Sequence, residues 1–161
     1  MKRKGFTLIE FLVAMSIFII VIIVVLSLFA MAIRGQRRVI AMQNIQENAR
    51  FLLDFMTKEI RMSVISAVAD SSISIIRSDG QIVTYLFSGN KIERTSPSSD
   101  GPINSDEVLV NGRFFATGIG KADGLQPKIT IIMNVQSVGS RIEEQVSIDL
   151  ETTLSQRLID L

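Results

Sequence analysis

Glu10 is the residue whose type and position demand a chemical explanation. In the stretch "KRKGFTLIEFLVAM" it stands at the head of an uncharged apolar run that opens on Phe11 and closes on Ile33. A carboxylate at the edge of a lipid-compatible segment is costly unless water or a cation reaches it, so its presence argues for a function and a partner. Two readings stand on the residues alone. The side chain snorkels to the headgroups and does nothing more, or it pairs with a cation.

Elsewhere the chain offers little reactive chemistry. It contains neither histidine nor cysteine, which removes the commonest general base, the commonest metal ligand and the thiol nucleophile. The stretch "ATGIGKA" has the look of a phosphate loop, but Phe115 stands where that loop needs its first glycine and Ala122 replaces its Ser/Thr. Gly118 and Gly120 therefore read as turn glycines. Asp100, Asn104, Asp106 and Glu107 bring oxygens together between residues 100 and 107. Their spacing fits no calcium loop, and a solvated loop is the expectation. No catalysis, metal or cofactor is expected. The formal net charge is +1, and without Lys2, Arg3 and Lys4 the balance turns slightly acidic; no nucleic-acid partner is expected from it.

The elements that must position Glu10 follow from patterning. As a helix the run 11–33 is about 35 Å long, enough for a hydrocarbon core of about 30 Å. Ser16 and Ser27 are its only polar side chains. It exceeds a signal-peptide core, no small-x-small site follows it, and Arg34, Arg37 and Arg38 form a stop-transfer flank. The span is expected to be retained, although charge alone leaves its orientation ambiguous. Helix formers continue to about Ala67, with Met42, Ile45, Ala49, Leu52, Met56 and Ile60 drawing an apolar stripe at three- and four-residue steps. Asp54 and Lys58 form an i, i+4 pair on the opposite face. The stripe predicts packing against the chain's own sheet rather than a coiled-coil seam.

After Ser71 the period changes to two. "SISIIR", "QIVTYLF" and "KIERT" read as a three-stranded meander, and residues 96–107 as a polar loop. "VLV" and "RFFA" around Asn111-Gly112 read as a hairpin. Two longer strands, 128–138 and 141–150, close the domain, the second with Ile142, Val146, Ile148 and Leu150 on one face. The predicted fold class is α+β, a long N-terminal helix packed on an antiparallel sheet.

"KGFTLIEFLVA" resembles the class III leader of type IV prepilins and pseudopilins, with its basic leader, glycine, phenylalanine, acid at fixed spacing and apolar run. Phe11 stands where that family more often has leucine, methionine or valine. The resemblance implies cleavage after Gly5 by a prepilin peptidase, N-methylation of the new amino-terminal Phe6 by the same enzyme, and an assembly role for Glu10. It also supplies the missing cation, the Phe6 α-amine, either of the same chain or of the neighbouring subunit. The strong match covers about residues 4–34. Beyond it, "ENARFLLDFMTKEIRMS" and the closing "LETTLSQR" look like minor pilins of the W type and J-type minor pseudopilins of type II secretion. The implied organisation is a leader at 1–5, a membrane and filament-core helix at 6–33, its amphipathic continuation at 34–68 and a β-rich domain at 69–161.

The function implied is structural. The chain would be a minor subunit in the bacterial inner membrane, N-terminus cytoplasmic and β domain outside the cytoplasm, that later joins or primes a pilus or pseudopilus. Its implied partners are the peptidase, other major and minor pilins, the inner-membrane assembly platform and membrane lipid. The alternative is a membrane-tethered module whose β domain binds DNA or an exported substrate. Intact filaments lacking uptake or adhesion would favour the second; loss of filaments or secretion would favour the first.

Overall fold

The computed structural model describes residues 5, 7–119 and 126–156. Two units are distinguished, Met1–Arg37 and Arg38–Leu161. In the first, the described chain from Leu8 onwards is helical and its side chains are exposed almost throughout.

α1 runs over Leu8–Arg61. It contains no proline, and Gly35 lies inside it without interrupting the helix. Its part in the second unit buries Ala41, Ile45, Ala49, Leu52, Met56 and Ile60. Ala41, one turn before Ile45, takes the inward place expected of Met42, which is only half-buried. Asp54 and Lys58 are both exposed, as predicted. The helix stops seven residues short of the expected boundary at 68. Ser63 closes it, its N–H donating to the Ile60 carbonyl at 3.2 Å and its hydroxyl to the Glu59 carbonyl at 2.7 Å. The β-branched run that follows then pairs as a strand instead of extending the helix.

That strand, β1 (Val64–Val68), opens a five-stranded antiparallel meander with β2 (Ser72–Ile76), β3 (Ile82–Ser88), β4 (Lys91–Ser96) and β5 (Ser99–Pro102), paired in sequence order. The three expected strands are present. β1 falls where the pattern predicts helix and β5 where it predicts a polar loop, and both are strands. Gly89 and Asn90 both adopt positive φ, 56° and 63°, the two-residue turn that matches the twist of a tight hairpin.

The second sheet contains β6 (Val108–Thr117), β7 (Lys128–Ser137) and β8 (Ser147–Ser155), also antiparallel and in sequence order. The hairpin expected at Asn111-Gly112 does not form; both residues lie within β6, opposite Asn134 and Met133 of β7. A Cβ on Gly112 would come within 2.6 Å of the Ile132 carbonyl oxygen and of Phe87 Cζ. This glycine therefore admits an aromatic ring from the other sheet and does not turn the chain. The last strand also shifts. Residues 142–144 form a single 3-10 turn with Ile142 exposed, and β8 continues to Ser155.

One core joins the α1 stripe to both sheets, through Ile73, Ile75, Val83, Tyr85 and Ile92 of the first and Val110, Phe114, Ile129, Ile131, Met133 and Val135 of the second. The sheets are also stitched edge to loop: Val110 N–H donates to the Asn90 carbonyl and Phe114 N–H to the Asp70 carbonyl, each at 2.8 Å.

Candidate functional site: the N-terminal segment

Thr7 immediately precedes α1 and Glu10 lies in its first turn. The Thr7 N–H and hydroxyl both donate to Glu10 Oε2 at 2.9 Å, and the Glu10 N–H donates back to Thr7 Oγ1 at 3.3 Å. This is a capping box: residues three apart satisfy each other's backbone donors where the helix has no partners of its own. The carboxylate also lies at the positive end of the helix macrodipole. Thr7 is a site residue that the leader resemblance does not point to, although Thr-x-x-Glu before an apolar run is a sequence signature of such a cap.

Gly5 is exposed, and a Cβ placed on it would meet nothing within 4 Å. The described fold leaves room for a larger side chain there. Phe6, the expected new N-terminus, lies outside the described residues.

Beyond Glu10, the apolar half of α1 hides none of its side chains; Phe11, Phe18, Ile23 and Phe29 are each more than half exposed. Its most apolar window has a mean hydropathy of 3.2. The two hydroxyls are satisfied on the helix itself, Ser16 on the Leu12 carbonyl at 2.9 Å and Ser27 on the Val24 carbonyl at 2.7 Å. A helix with its polar groups satisfied internally and its apolar groups outward suits lipid or the core of a helical assembly.

Residues 1–33 match the family described as the prokaryotic N-terminal methylation motif. This match supports the type IV prepilin and pseudopilin family for the N-terminal segment. Neither a curated protein nor a solved structure matches the chain. The prepilin segment therefore carries the assignment, and the domain after it is read from its own geometry.

In that domain the oxygens of residues 100–107 do not converge. Asp100 Oδ1 accepts from the Ser96 N–H at 2.8 Å, Asn104 Oδ1 from the Ile92 N–H at 3.1 Å, Asp106 from Lys91 Nζ at 2.8 Å and Glu107 from Asn44 Nδ2 at 3.1 Å. Each oxygen is engaged by a different donor, and Glu107 ties the segment to α1. Gly118 does turn the chain, at φ 79°, whereas Gly120 and Lys121 lie outside the described residues.

The strongest polar cluster joins α1 to the first sheet. Glu59 receives Arg94 on both oxygens, Nε to Oε2 at 3.0 Å and Nη2 to Oε1 at 2.8 Å, and the Tyr85 hydroxyl donates to the same Oε2. Arg77 Nε adds its charge 3.6 Å from Oε1, and the Arg94 guanidinium lies 5.9 Å from the centre of the Phe55 ring. Burial pushes the Glu59 carboxyl up. The hydrogen bonds from Arg94 and Tyr85 and the two guanidinium charges outweigh it and hold the group below its ordinary value. Tyr85 is pushed up, by burial and then by its bond to Glu59. The cluster holds no nucleophile–base pair, and its chemistry is that of a clamp. No spacing in the sequence announces it, because its members come from a helix, two strands and the turn after β2.

Proposed function

We propose that the protein is a minor pilin-like structural subunit, cut by a prepilin peptidase between Gly5 and Phe6, N-methylated at Phe6 and then assembled into, or used to prime, a type IV pilus or a type II secretion pseudopilus. The observation that carries this reading is the methylation motif over residues 1–33. Gly5 is compatible with it, being exposed and free of contacts within the described fold. The precursor is a single-pass inner-membrane protein with its N-terminus in the cytoplasm, which matches a helix satisfied in its polar groups and apolar on every side. The work is assembly rather than catalysis, with other pilins and an inner-membrane platform as partners.

In this reading Glu10 has two tasks in turn. In the precursor it caps α1 through Thr7. After cleavage the Phe6 amine becomes a cation one residue before that cap, and the carboxylate is its nearest counter-charge in an apolar setting. The test is mass spectrometry of the membrane-inserted protein together with a filament assay. Gly5→Val should retain the leader and its mass. Glu10→Leu should be cut normally but enter filaments poorly. A Gly5→Val product of unchanged mature mass refutes the processing site, and normal assembly of Glu10→Leu refutes the role of the carboxylate.

A further inference from the structure

Ile142, at the turn between β7 and β8, is 87% exposed, more than any other large apolar side chain among the described residues. The turn that presents it is tightly built. Ser137 N–H donates to the Val146 carbonyl at 3.0 Å and Val146 N–H returns to Ser137 Oγ at 3.1 Å, while the Ser137 hydroxyl donates to the Glu144 carbonyl. Glu144 N–H donates to the Arg141 carbonyl at 3.0 Å. Gly139 lies so close to Glu144 that a Cβ on it would clash with the Glu144 Cβ and backbone. A network of this kind holds Ile142 out in solvent instead of letting it fold back. Val138 beside it is 55% exposed, and Arg141 is exposed too, whereas Glu143 and Glu144 are half-buried. The tip therefore offers apolar and cationic groups and turns its acids inward.

The tip also points in a defined direction within its unit. β7 starts beside Gln156, whose side chain accepts the Ile65 N–H just past the end of α1, and it ends beside Glu107, which accepts from Asn44. β7 thus runs against α1, and continuing past Ser137 carries the chain towards Arg38. That is the end at which the unit is tethered, five residues after Ile33 closes the apolar run. Val39 and Ile40 at this same end are 56% and 49% exposed, next to the exposed Arg38. Apolar groups with interleaved cations are the chemistry of a lipid headgroup boundary.

We propose that the β7–β8 turn is a lipid-contact tip: in the membrane-inserted precursor Ile142, backed by Val138, seats in the headgroup–acyl boundary, and Arg141 meets lipid phosphate. The proposal rests on the membrane-spanning reading of α1, and the experiment separates the two. The chain has no cysteine, so single fluorophores can be placed through Ile142→Cys, Val25→Cys and Ile82→Cys in the full-length protein, one copy per nanodisc of phosphatidylethanolamine and phosphatidylglycerol. Ile82 is 55% exposed and pairs with Ile76, beside Arg77 and Glu59 near the other end of the unit. The probe at 142 should be quenched by a shallow spin-labelled lipid and be about threefold or more less open to aqueous iodide than the probe at 82. The probe at 25 should answer to a deep spin-labelled lipid. A probe at 142 that behaves like the one at 82 overturns the tip while a quenched probe at 25 keeps the span. Shielding from iodide without lipid quenching also overturns it, since it means a protein face covers Ile142. An unquenched probe at 25 overturns the span, and the tip with it.

Discussion

Replacing Glu59 by glutamine removes one charge and leaves every partner in place. Arg94 loses a two-point ion pair, Tyr85 loses a charged acceptor, and the incoming amide nitrogen must face at least one of these donors. Breaking a fully buried pair by altering one partner costs about 3–5 kcal/mol. The side chains of Arg94 and Glu59 retain 13% and 15% exposure, so water relieves part of that, and the glutamine carbonyl still accepts one bond. A loss of about 2–3 kcal/mol is expected, or about 10 °C in Tm for a domain of this size. The full-length protein in detergent can be unfolded by heat or urea and followed by far-ultraviolet circular dichroism. Tyrosine emission gives a second, local signal, because Tyr85 is the only tyrosine and there is no tryptophan. Its hydroxyl donates to a carboxylate in the wild type, an arrangement that quenches phenol emission, so the native-state signal of Glu59→Gln should rise. Tyr85→Phe should cost about 1–2 kcal/mol in the wild type and much less in the Glu59→Gln background, since the two share one bond. A Tm within about 2 °C of wild type, or additive single losses, would show that the cluster is not the clamp joining α1 to the first sheet.

Gly112→Ala should cost about 1–3 kcal/mol, because the new Cβ meets a backbone carbonyl as well as the Phe87 ring; an unchanged urea midpoint refutes the close-approach account. Acid should weaken the domain through Glu59: its folded pKa lies below the ordinary value, so its contribution is complete above the unfolded pKa and fades as pH falls below about 4. Glu59→Gln should lose that acid limb, and a Tm that stays flat down to pH 2 in the wild type refutes the assignment. Alkali should weaken the domain through Tyr85, whose folded pKa is raised: stability holds below about pH 10 and is lost above it as the unfolded phenol ionises, an effect that Tyr85→Phe should abolish. Thr7→Val should cost the α1 cap about 1 kcal/mol, read as roughly fivefold faster amide exchange at Glu10 in bicelles; unchanged exchange refutes the cap.

The parts of this molecule legible in the sequence are those whose physics is local. The long apolar helix, the stripe at Ile45, Ala49, Leu52, Met56 and Ile60, and strands β2, β3 and β4 follow from periodicity, and each is where the pattern puts it. The misreadings occur where a distant partner decides. Asn111-Gly112 carries the strongest short hairpin signal, yet a ring from the other sheet needs the space the glycine leaves. Residues 64–68 follow a strong helix pattern, yet their ladder to β2 outweighs it. Ile142 fits the alternation of β8, yet the turn before that strand holds it outside. The Glu59 clamp belongs with these, since nothing near Glu59 in the chain foretells Arg94 or Tyr85.

Glu10 combines both kinds of information in one side chain. Both Thr7 donors fall on Oε2, so Oε1 takes no donor among the described residues. A carboxylate has lone pairs enough to keep a cap on one oxygen and receive an ammonium on the other. Under the proposed processing, then, the amine freed at Phe6 does not have to displace Thr7. The cap would instead hold the carboxylate in one rotamer, with its second oxygen presented to a cation of its own chain or of a neighbour. That makes Thr7 a positioning residue, and it separates two effects that Glu10→Leu would merge. Thr7→Val should leave cleavage intact while lowering assembly, whereas Thr7→Ser, which keeps the hydroxyl, should restore it. If Thr7→Val assembles as well as wild type while its α1 cap is demonstrably weaker, the cap and the assembly role of Glu10 are independent, and the carboxylate finds its cation without being held.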